Sequence, residues 1–183
     1  YRGPVSDHFD GKKFNNPGGV QPAGFKDLFK WMRHREKGEW KEITNAAYGP
    51  APAGKVEGDS IVVTFINHST FLVQTQGLNI LTDPVWSERA SPVSFAGPKR
   101  MRPPGIRYED LPPIDIILLT HNHYDHLDIK SMKQLARDHS PEIYCPLGVG
   151  KYLERKGISH VHEMDWWDEA EIKPGIGLVC TPS

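Results

Sequence analysis

The spacing of hydrophobic and polar residues predicts seven short β-strands after residue 60. Most of these runs are rich in β-branched and apolar residues, and Gly, Pro, Asn or Asp separate several of them, as is usual for strands. The run at 114–120 contains four consecutive apolar residues, which predicts a strand buried on both faces. The predicted strands are residues 61–66, 70–75, 78–82, 114–120, 142–145, 159–163 and 177–181.

Three other segments place their apolar residues at helical spacing. They predict helices at residues 25–40, 131–139 and 147–156. The first of these helices carries a basic face that includes Lys30 and Arg33. Strands that alternate with helices are typical of the α/β class, which we therefore expect for this chain.

Two regions are expected along the chain. Residues 1–59 combine an extended arm, the basic amphipathic helix and a Pro-containing linker, and residues 60–183 hold the predicted strands. Within the second region, residues 85–107 form a long loop rich in Pro and Gly. Because loops of this length inside a compact domain are usually functional, we expect this loop to contribute to a site.

Composition narrows the function classes. The 183 residues have a formal net charge of −1 and are 38% hydrophobic, which argues against a general nucleic-acid binder and against a disordered acidic chain. No apolar run approaches the roughly 18 residues of a membrane span. The two cysteines, Cys145 and Cys180, are expected to be partly buried free thiols.

A histidine-rich segment directly follows the predicted buried strand. Residues 121–126 read HNHYDH. Because side chains two positions apart on an extended segment point the same way, His121 and His123 can bind one metal ion. If the chain then turns, Asp125 and His126 can face a second ion nearby, as in two-metal hydrolytic sites. Imidazole and carboxylate ligands favour zinc, with iron or manganese as alternatives.

Other polar residues have weaker claims to a role. Asp83 ends a strand and is equally a candidate to hydrogen-bond a ligating histidine or a turn-forming residue before proline. We place His68 behind the ligands, more as a structural histidine than as one that approaches the metals. Tyr124 lies between ligands and is predicted to face substrate. His160 and His162 are two apart on a predicted strand, but no carboxylate cluster accompanies them in sequence, so they are interpreted as structural or solvated.

Several stretches resemble the metallo-β-lactamase superfamily, and in particular its branch of N-acyl-phosphatidylethanolamine-hydrolysing phospholipases D and their bacterial relatives. The resemblance covers the chain from about residue 60 to its end. The stretches are residues 68–72 (HSTFL), 81–85 (LTDPV), 92–98 (PVSFAGP), 120–128 (THNHYDHLD) and 165–167 (DWW).

The resemblance implies an αβ/βα sandwich with a two-metal site between its sheets. By it, His121 and His123 would bind the first metal, and Asp125 and His126 the second, so that two zinc ions occupy a complete site. The family pattern needs three further ligands, and residues 181–183 (TPS) match only the approach to the first of them. The chain therefore resembles the N-terminal half of the fold, and we expect a C-terminal half or a second chain as its partner.

The expected function follows from such a metal pair. A hydroxide held between two metals is a nucleophile at neutral pH, and Asp125 could also orient it. We expect a hydrolase that cleaves a phosphodiester, most plausibly in a phospholipid-like substrate. The alternatives are a lactonase, an amidase or another hydrolase that uses the same site, and a non-catalytic fragment that lacks half of the ligands.

The basic helix at 25–40 admits two interpretations. It either packs on the sandwich with an ordinary basic face or lies on an anionic membrane surface through Lys30 and Arg33. A nucleic-acid partner is not expected. No signal peptide is visible, and the sequence leaves cytoplasmic and membrane-associated locations open, as well as export.

Overall fold

The computed structural model describes residues 1, 3–16, 23–36 and 38–182. Parts of the predicted arm, at residues 2 and 17–22, lie outside this range, as do Lys37 and Ser183. The chain divides into two compact units, Tyr1–Lys41 and Glu42–Ser183. Residues 42–59, which the sequence groups with the N-terminal region, belong to the second of these units.

The first unit contains the helix α1 (Phe25–His34) and an isolated bridge between Phe9 and Phe14. The N-terminus of α1 is capped by Asp27, whose carboxylate accepts a hydrogen bond from Gly24 N. The predicted extension of this helix to residue 40 is wrong for the described residues, because Arg35 already takes up an extended conformation. No residue of α1, all of which are described, is buried.

The second unit is built on a six-stranded sheet in which the strands lie side by side in chain order. The first three strands pair antiparallel, and the third to sixth pair parallel. The strands are β1 (Ile61–Asn67), β2 (Thr70–Thr75), β3 (Leu78–Thr82), β4 (Ile116–Leu118), β5 (Glu142–Pro146) and β6 (Val161–Met164).

Two α-helices, a short 3-10 helix (Tyr108–Asp110) and a hairpin complete this unit. The α-helices are α2 (Ile129–His139) and α3 (Val149–Arg155), and the hairpin strands are β7 (Glu169–Lys173) and β8 (Ile176–Val179). The strand β7 is not among the predicted strands, although Glu169, Glu171 and Lys173 alternate with apolar residues at the spacing of a half-exposed strand. The helix and strand classes elsewhere agree with the sequence, with ends that shift by a few residues.

The core lies on one face of the six-stranded sheet. Leu72, Leu81, Ile117 and Ile143 are directly opposite one another in register on four successive strands, and all four are fully buried. Met132 and Leu135 of α2 and Leu153 of α3 belong to the same cluster. The helices therefore cover this face and fix the positions of the strands beneath them.

The other face of the sheet is apolar but open at its first strands. Ile61, Val63 and Phe65 alternate along β1 and are 66%, 58% and 58% exposed. Val63 pairs with Val73, and the ring of Phe65 lies 5.4 Å from that of Phe71. An apolar surface of this kind is typical of a face that another layer covers.

The strand directions bring three loop regions to one edge of the sheet. Because β2 runs antiparallel to both β1 and β3, the turn between β1 and β2 lies at the same edge as the end of β3. The parallel strand β4 ends at this edge as well. His68, Asp83 and Thr120 therefore lie at the same end of the sheet although they are far apart in sequence.

Candidate metal centre

The histidine segment lies in the loop that leaves β4 and leads into α2. Its start is anchored by Ile117, which is fully buried in the core. The loop then turns tightly, because His126 N and Leu127 N both donate hydrogen bonds to His123 O. This turn reverses the direction of the chain between His121 and His126, as the sequence requires if both are to approach one site.

The buried carboxylate of Asp83 holds this loop in place through hydrogen bonds to Thr120 and His126. It is 1% exposed and accepts hydrogen bonds from Thr120 N (2.8 Å), from Thr120 Oγ1 (2.7 Å) and from His126 Nδ1 (2.8 Å). Three donors satisfy a buried charge that would otherwise be costly. Because Nδ1 of His126 holds its proton towards Asp83, its Nε2 is left with a lone pair for a metal.

His68, Asp125 and His126 form the candidate metal cluster. One ligand atom from each of these residues lies within 4.8 Å of the others. His68 Nε2 is 3.1 Å from Asp125 Oδ2, and His126 Nε2 is 3.8 Å from the same oxygen. Two imidazoles and one carboxylate at this spacing are a donor set that suits zinc and other transition metals.

His121 and His123 lie beside this cluster. His121 Nε2 is 3.1 Å from His123 Nδ1, and the ring of His121 lies 4.0 Å from the ring of His126. His121 Nδ1 also lies 2.9 Å from Thr120 Oγ1, the hydroxyl that bonds to Asp83. The four residues predicted as ligands are therefore brought together at one end of the sheet.

Two residues of the centre have unusual backbone conformations. His68 and Asp83 have φ values of 38° and 35°, in the left-handed region that residues with a side chain seldom adopt. Each such residue costs on the order of 1–3 kcal/mol and is retained where the surrounding structure holds it in place. Here the conformation turns His68 towards Asp125 and Asp83 towards His126.

The electrostatics of the centre favour the metal-binding forms of His121 and Asp125. Burial, together with the neighbouring His126 and His123, lowers the pKa of His121, so the neutral imidazole is favoured. For Asp125, burial alone would raise the pKa, but a backbone hydrogen bond and the nearby histidines outweigh it and lower the pKa. Neutral imidazole and ionised carboxylate are the forms that bind metals.

The residue predicted to contact substrate lies in the histidine loop, whereas the two predicted to contact a membrane lie in the first unit. Tyr124 is 51% exposed and lines a cavity of about 480 Å³ next to the histidine loop. Lys30 and Arg33 lie on α1 in the first unit, where both are exposed. Among the described residues, no helix has the length and hydropathy needed to cross a membrane.

A second histidine–carboxylate group, the edge cluster, consists of Glu142, His160 and His162. His162 Nε2 lies 2.6 Å from Glu142 Oε2, and His160 Nδ1 lies 3.5 Å from Glu142 Oε1. The sequence shows no carboxylate cluster next to these histidines, and the single Glu142 comes beside them through the parallel pairing of β5 and β6. All three side chains are about half exposed.

Sequence reasoning missed two features of the candidate metal centre. Thr120 connects Asp83 to His121, and a hydroxyl next to a histidine gives no distinctive signal in sequence. His68 contacts Asp125, one of the predicted ligands, whereas the sequence places it behind the ligands. The predicted strand order did indicate the position of His68. If β1, β2 and β3 pair antiparallel, the turn between β1 and β2, which contains His68, lies at the end of the sheet where β3 and β4 also end.

Comparison with known proteins identifies the family. The family described as "Beta-lactamase superfamily domain" matches residues 78–183, more than half of the chain. The chain belongs to this superfamily. N-acyl-phosphatidylethanolamine-hydrolyzing phospholipase D 1 of Caenorhabditis elegans is 35% identical in an alignment 192 positions long. The alignment covers 94% of this chain and 52% of that protein. The chain thus spans about half the length of this relative.

Two solved structures share the superfamily fold. One is CmlA, a diiron beta-hydroxylase from Streptomyces venezuelae, with a TM-score of 0.52 and 24% identity over 68% of this chain and 24% of CmlA. The other is Igni18, a metallo hydrolase from Ignicoccus hospitalis, with a TM-score of 0.51 and 23% identity over 67% and 48% of the two chains. At these identities the likeness concerns the fold alone, and it confirms the predicted α/β class and metallo-β-lactamase type.

Proposed function

We propose that this chain carries the metal-binding part of a dizinc phosphodiesterase that acts on a phospholipid-like substrate. The observation that carries the proposal is the cluster of His68, Asp125 and His126 above the buried carboxylate of Asp83. Clusters of neutral imidazole and carboxylate held by hydrogen bonds from below are typical of catalytic metal sites. Relatives named as phospholipases and metal-dependent hydrolases support the same class.

Each polar residue of the centre has a place in this proposal. His121 and His123 would hold one ion, and Asp125 and His126 the other, with His68 beside the second. When bound, such metals lower the pKa of a coordinated water to roughly 7 and offset negative charge that develops on the substrate. Imidazole and carboxylate ligands favour zinc, so zinc is the element to test first. Iron and manganese are the alternatives for the same donor set.

The protein residues contribute orientation and proton placement. Asp83 accepts the Nδ1 proton of His126 and thereby directs Nε2 into the site. Asp125 is the catalytic residue of the proposal, because its carboxylate lies among the histidines and can orient the attacking nucleophile. The exposed ring of Tyr124 faces the adjoining cavity, where it can contact the substrate.

Hydrolysis of matched chromogenic substrates tests the reaction class. We expect the zinc-loaded chain, assayed together with the C-terminal half that completes its ligand set, to cleave bis(p-nitrophenyl) phosphate faster than p-nitrophenyl butyrate or a lactone, and a chelator to abolish the cleavage. Asp125→Asn should lower the rate at least about 100-fold, because a ligand and proton acceptor are lost together. Glu142→Gln in the edge cluster is the matched control and should leave the rate unchanged.

The alternatives predict different results in the same assay. Preferential cleavage of the ester or the lactone would assign the site to a carboxyl-type hydrolase. Absence of turnover together with little bound metal, measured by plasma emission, would identify a non-catalytic partner or subunit. Iron- or manganese-loaded protein that is faster than the zinc form would change the metal and keep the reaction class.

The proposal includes a second layer on the open sheet face. The exposed side chains of Ile61, Val63 and Phe65 form an apolar surface, and such surfaces are normally covered in soluble proteins. We propose that the C-terminal half of the fold, or a second chain that supplies it, covers this face and completes the ligand set. Light scattering should then show the chain associated with a partner, and a well-folded monomer at 20.7 kDa would contradict this.

A lipid substrate also suggests a role for α1. Phe25 and Phe29 are 86% and 76% exposed on this helix, which carries Lys30 and Arg33 as well. We propose that α1 rests on an anionic membrane surface, as basic amphipathic helices with aromatic residues do. Lys30→Glu with Arg33→Glu should reduce flotation with anionic vesicles, whereas the control pair Lys12→Glu and Lys13→Glu should reduce it less. Equal flotation of both double variants would remove the membrane role.

A further inference from the structure

The cavity beside Tyr124 is formed by three separate parts of the second unit. The long loop between β3 and β4 supplies one wall, including Arg89. The beginning of α2 contributes Lys130, and the region at the end of α3 contributes Lys156. The cavity measures about 480 Å³ and adjoins the histidine loop through Tyr124, so a molecule bound in it lies next to the candidate metal centre.

The walls of this cavity are held in place by hydrogen bonds, two of which are partly buried. Ser87 N donates to Asp128 Oδ2 over 2.9 Å, and Trp86 N donates to Ser131 Oγ over 2.8 Å. These bonds fasten the start of the long loop to the first turn of α2. Arg89 is fixed in turn, since its Nη1 donates to Gly97 O over 2.7 Å. The cavity is therefore preformed, which lowers the entropic cost of binding a ligand in it.

The charge of the cavity is positive and largely uncompensated. Within the described part of the chain, none of Arg89, Lys130 and Lys156 lies within ion-pair distance of a carboxylate. Glu88 also lines the cavity, but its carboxylate lies 3.4 Å from Lys99. The buried Asp128 carboxylate is turned inwards to its three hydrogen-bond donors.

We propose that this cavity binds an anionic phosphate group of the substrate or product next to the metal centre. Three cations attract the anion, and the hydroxyls of Ser91 and Ser94 in the same wall can donate to its several oxygens. The inference rests on the proposed phosphodiesterase function and adds a location for the charged group. It gives the long loop a role, since Arg89 and both serines belong to it.

Binding of phosphate compounds to the metal-free full chain tests this subsite without any turnover. Calorimetric titration with inorganic phosphate and with glycerol 3-phosphate should show binding that Lys130→Gln with Lys156→Gln weakens on the order of tenfold. The matched control is Lys133→Gln with Lys151→Gln, which removes the same charge from exposed positions of the same two helices outside the cavity. The control pair should bind like the unmodified chain.

Vesicles separate the two possible sources of the phosphate. Phosphatidylcholine vesicles with and without phosphatidic acid are compared in flotation for both double variants. Binding of glycerol 3-phosphate that needs Lys130 and Lys156 supports a soluble phosphate ester as ligand. Flotation that needs phosphatidic acid and the same two lysines, without glycerol 3-phosphate binding, supports a lipid headgroup.

Two outcomes would overturn the subsite. One is no binding of any phosphate compound to the metal-free chain, and the other is equal weakening in both double variants, which would indicate general surface charge. Failure of the proposed hydrolase function has a different signature, because it would show as absent turnover by the metal-loaded chain while phosphate binding to the metal-free chain persists.

Discussion

The two histidine–carboxylate groups of the second unit have similar sequences and different surroundings. Each contains a pair of histidines two residues apart, His121 with His123 and His160 with His162. The first pair sits beside a histidine that donates to Asp83, a carboxylate that is 1% exposed. The second pair shares Glu142, whose side chain is 48% exposed, accepts a hydrogen bond from His162 and lies 3.5 Å from His160.

The two groups differ in the carboxylate that contacts the histidines, which is buried in the candidate metal centre and half exposed in the edge cluster. A buried carboxylate fixes which nitrogen holds the proton and which can bind a metal. A solvated carboxylate competes with water and contributes little. His–x–His spacing alone therefore does not identify the centre, whereas spacing combined with a buried acceptor does.

The largest contrast is expected when each histidine pair is removed. We expect His121→Ala with His123→Ala to remove about half of the bound zinc, because both donors that this chain supplies to one of the two proposed ions are lost. His160→Ala with His162→Ala should keep the metal content of the unmodified chain, as measured by plasma emission after dialysis. Comparable metal loss in both double variants would mean that the two groups do not differ in the way described.

A smaller effect is expected when the support is changed and the ligands stay. Asp83→Asn places an amide where three donors converge, so we expect the free energy of unfolding to fall by about 2–3 kcal/mol. Zinc affinity should drop roughly 10- to 100-fold, as is usual when a partner of a ligating histidine is lost. Urea unfolding of the metal-free chain and competition with a chelator measure the two effects separately. Unchanged affinity would show that Asp83 serves stability alone.

The smallest effect is expected at the edge cluster. Glu142→Gln removes an exposed ion pair, so the free energy of unfolding should change by less than about 1 kcal/mol. The zinc content should not change at all. A loss comparable with that of Asp83→Asn would indicate that the exposed carboxylate contributes to folding in a way its solvent exposure does not suggest.

Much of the sheet could be predicted because its strands are short, apolar and separated by turn-forming residues. The run that contains Ile117 was expected to be buried on both faces, and Ile117 lies in the core under α2. The strand β7 was missed because its exposed alternation is weak beside Trp166 and Trp167. The predicted length of α1 is too great, since Arg35 prolongs the helical pattern in sequence whereas its backbone is extended.

The histidine loop was predictable as a local motif, and the contacts around it were not. The positions from His121 to His126 follow one another in sequence, so spacing alone indicated a metal site. The contacts of Asp83 with His126 and of His68 with Asp125 depend on strand order and on two backbone angles that sequence patterns do not reveal. For the same reason Glu142 was not expected beside His160 and His162.

The parallel pairing of β3 with β4 has a consequence for how the centre forms in time. Asp83 and His126 are 43 residues apart, and the chain between the two strands must close before their hydrogen bond exists. Long connections slow folding, because the entropy of closing the loop is lost before the contacts are gained. We therefore expect a newly made chain to present its histidines before it can orient them, and metal binding at the candidate centre to follow assembly of the sheet.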